Sequence, residues 1–208
     1  MCKRFANAGS GCGRLQVTER VPASLLAALT DLVYWLDAAK VPSMVIGGVA
    51  ASVLGQPRLT QDIDALALLP EADWARVIAA AAHHGIVPRI ENPLEFALRS
   101  QVLLMRHVDS SIDIDLTFGS LSFEQAAIEN SEIHEIGGLR VHLPRIEDLL
   151  IMKAVAGRPK DLQDIEGLLA ANPNANIAVA RQWIREFATA MTMPGMLEEF
   201  NKLVAQRK

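Results

Sequence analysis

The sequence predicts an α/β (α+β) protein, a small mixed β-sheet flanked by helices and followed by a helical C-terminal part. Three observations predict it. Up to residue 143, apolar runs of strand length alternate with segments of helical period. Glycine pairs and proline-containing loops separate these runs. After Pro144 the strand signals stop, and every remaining segment reads as helix. The expected organisation is a loose arm over residues 1–20, an α/β core over 21–143 and a helical region over 144–208.

The elements follow in order. Residues 22–40 read as a helix, because Pro22 suits a first turn and Leu25, Leu26, Leu29, Leu32, Val33 and Leu36 recur at helical spacing. Ser43 to Gly47 is a short apolar strand, Gly47-Gly48 a turn and Val49 to Leu54 a short helix closed by Gly55. A loop over 56–60 leads into a strand from Asp62 to Leu68. Pro70 to His84 is an Ala-rich helix ended by Gly85. Ile86 to Ile90 has strand character. Gln101–Val108 and Ser111–Leu116 form a strand pair around the turn residues Asp109-Ser110. Phe123 to Asn130 is a short helix. The runs 133–136 and 139–143 flank Gly137-Gly138, a hairpin signal. Helices are expected over 144–156, 159–171, 175–192 and 196–205.

Composition excludes several classes. A chain of 208 residues can bury roughly 70% of its unfolded surface, so disulfides or metal are not needed merely to fold. Half the residues are hydrophobic and 21% are charged, which excludes wholesale disorder. There is no run of 18 apolar residues, so no membrane span is expected. The formal net charge of −4 argues against nucleic-acid binding through bulk charge. The two cysteines, Cys2 and Cys12, supply neither a disulfide framework nor zinc spacing. The N-terminus lacks the apolar stretch of a secretory signal, so a cytoplasmic location is expected.

The informative stretch runs from Val45 to Leu66. It orders a strand, Gly47-Gly48, a short helix, a loop and Asp62-Ile-Asp64 entering a second strand. Glycines after a strand let a phosphate approach the backbone closely. The following helix offers free N–H groups and the positive end of its dipole. Asp62 and Asp64 are two apart on a strand, so both point to one face, with Cα atoms about 6.6–6.8 Å apart. Such a pair can hold one or two hard cations such as Mg²⁺. Alone, a Gly-Gly is a turn and an Asp-x-Asp a solvated strand start. Their order and proximity bring both to one sheet edge.

A second acidic cluster, Ser111-Ile-Asp-Ile-Asp-Leu-Thr, alternates strictly, with Asp113 and Asp115 on one face. It reads either as a solvent-facing edge strand or as the source of a third carboxylate for a two-metal site. Either Asp113 or Asp115 can supply it. Downstream, Lys153, Arg158 and Lys160 can line a groove opposite the aspartates. Asp161 and Asp164 share a helix face, where they serve the helix dipole or pair with Lys153 or Arg158. Histidines 83, 84, 107, 134 and 142 are scattered, and Trp35, Trp74 and Trp183 fall on apolar helix faces.

Three stretches carry a resemblance: Gly47-Gly48 followed by Pro57-Arg58-Leu59-Thr60-Gln61-Asp62-Ile63-Asp64; Ile114-Asp115-Leu116-Thr117; and Leu143-Pro144 through Lys153 to Arg158-Pro-Lys160-Asp161 and Asp164-Ile165. Over roughly residues 40–170 the chain resembles the minimal nucleotidyltransferases of the DNA polymerase β-like superfamily, in particular AbiEii-type and MenT-type toxin nucleotidyltransferases and their uncharacterised relatives. The resemblance implies a nucleotidyltransferase core in which Asp62, Asp64 and Asp115 bind Mg²⁺, with two ions possible, and the triphosphate of an NTP such as ATP. It implies that Gly47, Gly48 and their helix hold the β- and γ-phosphates, that Arg58 and Thr60 shape the phosphate pocket, that Lys153 contacts phosphate or assists catalysis, and it adds weight to Arg158 as a phosphate-side base. The reaction would move a nucleoside monophosphate to a hydroxyl of tRNA, another RNA, a protein or a small molecule. A cognate antitoxin would be a partner in the toxin case. One departure stands out: the family commonly has Gly-Ser where this chain has Gly47-Gly48. The alternative is therefore a catalytically weak module of the same fold that binds a nucleotide or a partner protein.

Overall fold

The computed structural model describes residues 21–206. The arm expected over 1–20, with Cys2 and Cys12, lies outside the described residues. Helix α1 (Ala23–Ala38) buries Leu25, Ala28, Leu29, Leu32, Trp35 and Leu36, while Leu26 and Val33 of the predicted stripe are half-buried. Strand β1 (Ser43–Val45) follows. Helix α2 runs over Gly47–Leu54. The glycine pair thus forms its first turn, instead of a separate turn before a helix at Val49. Strand β2 is Asp62–Ala67 and helix α3 is Trp74–Ala81, flanked by short 3₁₀ turns. Gly85 at φ 66° ends that segment, as its position predicts.

Strand β3 (Ile86–Pro88) leads to helix α4 (Pro93–Ser100), which the sequence reading did not anticipate. The reason is physical. Only Ala97 of this helix is buried, while Leu94, Phe96 and Leu98 are exposed, so its apolar residues form no inward stripe. Its start signal is local: Pro93 opens the helix and Glu95 pairs with Arg99 at 3.0 Å. Strands β4 (Val102–His107) and β5 (Asp113–Phe118) form the expected hairpin. Helix α5 (Ser122–Glu129) begins with Glu124 accepting the N–H groups of Ser120 and Leu121. Strands β6 (Glu132–Ile136) and β7 (Leu139–Leu143) close the second hairpin, with Gly137 and Gly138 both at positive φ.

The five-stranded sheet has the order β1-β2-β5-β4-β3. Only β2 and β5 pair in parallel, and the remaining neighbours are antiparallel. The sheet is therefore mixed, as expected, with β2 and β5 at its interior. Ile63, Ala65, Ile114 and Leu116 are buried, and Phe118 stacks on Trp74 at a centroid distance of 4.0 Å. Buried His107 joins α1 to the β4–β5 turn, with Nε2 2.8 Å from Asp31 Oδ2 and Nδ1 2.7 Å from Ser110 Oγ. That accounts for its burial without a catalytic role.

Beyond Leu143 come α6 (Ile146–Ala156), α7 (Pro159–Ala171), α8 (Ile177–Ala190) and α9 (Gly195–Ala205). One cluster of buried apolar residues continues from the sheet into these helices through Leu149, Leu150, Ile151, Ile165 and Leu168. Helices α6 and α7 both contact α2. This packing brings the C-terminal bases to the end of β2.

Candidate active site

Strand alternation sets Asp62 and Asp64 on the face opposite fully buried Ile63. The parallel register aligns Asp62 with Asp113 and Asp64 with Asp115. Four carboxylates therefore share one face of two neighbouring strands, about 4.8 Å apart. They are not equivalent. Burial, then repulsion from Asp62 and Asp115, pushes the Asp64 carboxyl up, against the pull of Lys153 and a hydrogen bond from the Gly48 N–H. Burial also pushes Asp115 up, although Arg89 opposes the shift. Asp113 goes the other way: a hydrogen bond from Arg106 Nε at 2.7 Å, with help from nearby Arg89, holds it below the usual carboxylate range. Arg89 also reaches Asp115, with Nη2 2.8 Å from Oδ1. That contact is a short ion pair that favours the charged Asp115 carboxylate, although no Arg89 N–H is well aligned on buried Oδ1.

The glycine pair makes room for two of these side chains. Gly47 has φ 62°, and a Cβ there would lie 1.9 Å from Asp64 Oδ2. At Gly48 a Cβ would lie 2.5 Å from Thr60 Oγ1 and 3.1 Å from Thr60 Cβ. A side chain at 48 would thus require Thr60 to shift. Thr60 donates to Asp62 Oδ1 at 2.8 Å. Ser52, one helical turn on, donates to the Arg58 carbonyl at 2.9 Å and so ties the loop to α2.

The basic side is an ion-pair network between α6, α7 and the loop before β2. Lys153 is buried, with Nζ 3.0 Å from Asp161 Oδ1 and 2.8 Å from Asp164 Oδ2. Arg58 grips Asp164 with two donors, Nε at 2.6 Å and Nη2 at 2.9 Å. Arg158 pairs with Asp161, which also accepts the Arg158 backbone N–H and so caps α7. Burial pushes Asp161 and Asp164 up, yet hydrogen bonds from Arg158 and Lys153, and from Arg58 and Lys153, outweigh it and hold both below the usual range. Three cations against two carboxylates leave this cluster with one positive charge in excess. Asp64 feels the field of Lys153, Arg158 that of Asp64 and Asp62, and Arg58 that of Asp62.

The structure therefore brings Gly47, Gly48, Arg58, Thr60, Asp62, Asp64, Asp115, Lys153 and Arg158 to one end of the sheet. Lys160 is exposed and outside the network. Arg89 and Arg106 were not anticipated. Arg106 had a signal, since it stands across the β4–β5 turn from Asp113, whereas Arg89 had none. Among the described residues, no three carboxylate, histidine or cysteine groups converge as they stand so as to hold a metal ion. A cleft of about 760 Å³ lies elsewhere, between α1, β1 and the β6–β7 hairpin, and none of these site residues lines it.

Comparisons with known proteins follow the same lines. The chain is similar in fold to the antibiotic-resistance factor ANT(2'')-Ia in solution, at 15% identity and a TM-score of 0.56, over 80% of this chain and 93% of that one. It is similar to ANT(2'')-Ia in complex with adenylyl-2''-tobramycin at 16% identity and a TM-score of 0.52, over 80% of this chain and 98% of that one. No curated protein matches the sequence. A family model described as a nucleotidyl transferase of unknown function, DUF2204, matches residues 25–199. That match spans the sheet, the carboxylate face and the ion-pair network, so the chain belongs to the DUF2204 family of nucleotidyl transferases.

Proposed function

We propose that this chain transfers a nucleoside monophosphate from an NTP to an acceptor hydroxyl, with Mg²⁺ held by Asp62, Asp64 and Asp115. One observation carries the reading: Asp115 stands beside Asp64 in register on the adjacent interior strand, with Asp62 on the same face. The donor set fits a hard divalent cation, because burial disfavours the charge on both Asp64 and Asp115, and Asp62 adds repulsion at each, although Arg89 partly offsets this at Asp115. When bound, Mg²⁺ would neutralise triphosphate charge and polarise the α-phosphate.

The chain's own groups do the rest. Thr60 orients Asp62 through its hydroxyl. Gly47 and Gly48 keep the backbone close to Asp64 and Thr60. Arg58 and Arg158 are partly exposed at the edge of the network, which puts them within reach of an incoming triphosphate. Lys153 acts from behind them, as a fixed charge that holds Asp161 and Asp164. The acceptor oxygen attacks the α-phosphorus, pyrophosphate leaves with the bridging oxygen, and the acceptor proton passes to a carboxylate of the same face.

The test is transfer from α-labelled NTPs with Mg²⁺ to a panel of tRNA, proteins and polyhydroxyl small molecules. The expected outcome is label on one acceptor class with the wild type and none with Asp64→Asn. Label on RNA or protein supports a toxin role. Label on a small molecule parallels the adenylyl-2''-tobramycin bound to ANT(2'')-Ia. NTP binding without transfer to any acceptor supports the alternative, a nucleotide-binding module.

A further inference from the structure

Arg89 follows Pro88 at the end of the edge strand β3, and its N–H donates to the Leu104 carbonyl at 3.1 Å. Its backbone is thereby pinned to β4. The side chain reaches across β4 to the carboxylates of β5, and is only 20% exposed. Nη2 lies 2.8 Å from Asp115 Oδ1, and Nη1 lies 3.3 Å from Asp113 Oδ2. Asp113 has a second guanidinium on its other oxygen, Arg106 Nε at 2.7 Å. The two β5 carboxylates therefore differ in kind. Asp113 is shared by two arginines, whereas Asp115 has Arg89 alone, through a contact that leaves buried Oδ1 without an aligned hydrogen bond.

We propose that Arg89 is the resident counter-ion of Asp115, that a divalent cation must displace it to gain that carboxylate, and that Asp113 retains the displaced guanidinium. The proposal rests on the reading that Asp62, Asp64 and Asp115 hold the cation. Its logic is charge balance. One carboxylate cannot give a guanidinium and a divalent cation its full field, and the two cations repel each other at that range. Among the described residues no three ligating groups converge as the side chains stand, which agrees with Asp115 being engaged by Arg89. Asp113 gives Arg89 a second anchor, so displacement does not strand a buried charge. Arg89 thus sets cation affinity without being a ligand. It also leaves Nη2 free on the same face once the cation is bound.

The test is Mn²⁺ titration of the metal-free full chain, followed by the electron paramagnetic resonance signal of free Mn²⁺, with thermal melts in parallel. The proteins are wild type, Arg89→Ala, Arg89→Gln and Asp64→Asn. Because a partly exposed ion pair is lost rather than a core contact, Arg89→Ala and Arg89→Gln are expected to bind Mn²⁺ about three- to ten-fold more tightly. Both should also show a larger Mn²⁺-induced rise in melting temperature than the wild type. Wild-type affinity or weaker binding in both Arg89 variants, with binding lost in Asp64→Asn, overturns the proposal and leaves the metal reading intact. No Mn²⁺ binding by any variant, or binding unchanged in Asp64→Asn, overturns the metal reading and the proposal together.

Discussion

Asp115→Asn is expected to lower nucleotidyl transfer by about 10²- to 10³-fold or more, the scale on which loss of one preorganised charge-stabilising group acts. Asp113→Asn is expected to stay within about ten-fold of the wild type. The contrast is sharp because the two residues share a strand, a face and an alternation pattern. Arg106 and Arg89 already satisfy Asp113, whereas Asp115 faces Asp64 across the parallel pair. Steady-state transfer rates at saturating NTP check it. Loss of activity in Asp113→Asn with retention in Asp115→Asn would mean that the third carboxylate is the other one.

Lys153→Met is expected to cost about 3–5 kcal/mol of stability, because it removes one partner of a buried ion pair and leaves carboxylates under-compensated. For a domain of this size that corresponds to a fall of roughly 6–20 °C in melting temperature. Methionine keeps most of the apolar volume, so the loss reports the charge and not a cavity. Asp161 and Asp164 are fully and almost fully buried, so water offers little compensation. The effect depends on pH with a definite sign. Both carboxyls are held below their ordinary value, so the stability they confer is present above the unfolded carboxyl pKa near ~4 and is lost as pH falls through the lowered folded values. Without Lys153 the lowering shrinks, and acid unfolding should begin at higher pH. Chemical denaturation and acid titration followed by circular dichroism measure both. Unchanged stability combined with weakened NTP binding would mean that Lys153 faces the triphosphate directly instead of holding the network.

The parts of the molecule legible in the sequence were those where a period and a punctuating residue agree. The Asp-x-Asp spacing in 62–68 and the alternation in 111–116 predicted strands there and put the aspartates on one face, while the interior place of β5, against the edge-strand alternative, comes only from its pairing with both β2 and β4. Gly85 and Gly137-Gly138 marked real positive-φ turns. Helix α4 was hidden because its apolar residues point outward. The start of α2 was misplaced because glycine lowers helix propensity, yet here Gly47 and Gly48 are needed for close approach to Asp64 and Thr60.

The site was legible as a set of residues but not as a set of partners. The pairing of Lys153 with Asp161 and Asp164 spans two helices joined at Gly157, whose φ of 61° turns the chain back. Spacing alone left open whether those acids serve the dipole or pair with Lys153 or Arg158. Arg89 was invisible for a related reason. It reaches its carboxylates over an intervening strand, and no short-range pattern encodes such a contact.

The most direct measurement is calorimetric titration of the wild type and of Asp62→Ala/Asp64→Ala with each NTP, with and without Mg²⁺. The account predicts binding of at least one NTP that requires Mg²⁺ and disappears in the double variant while its fold is retained. Binding that is indifferent to Mg²⁺ and to the loss of both carboxylates, or no binding by the folded wild type, would contradict it.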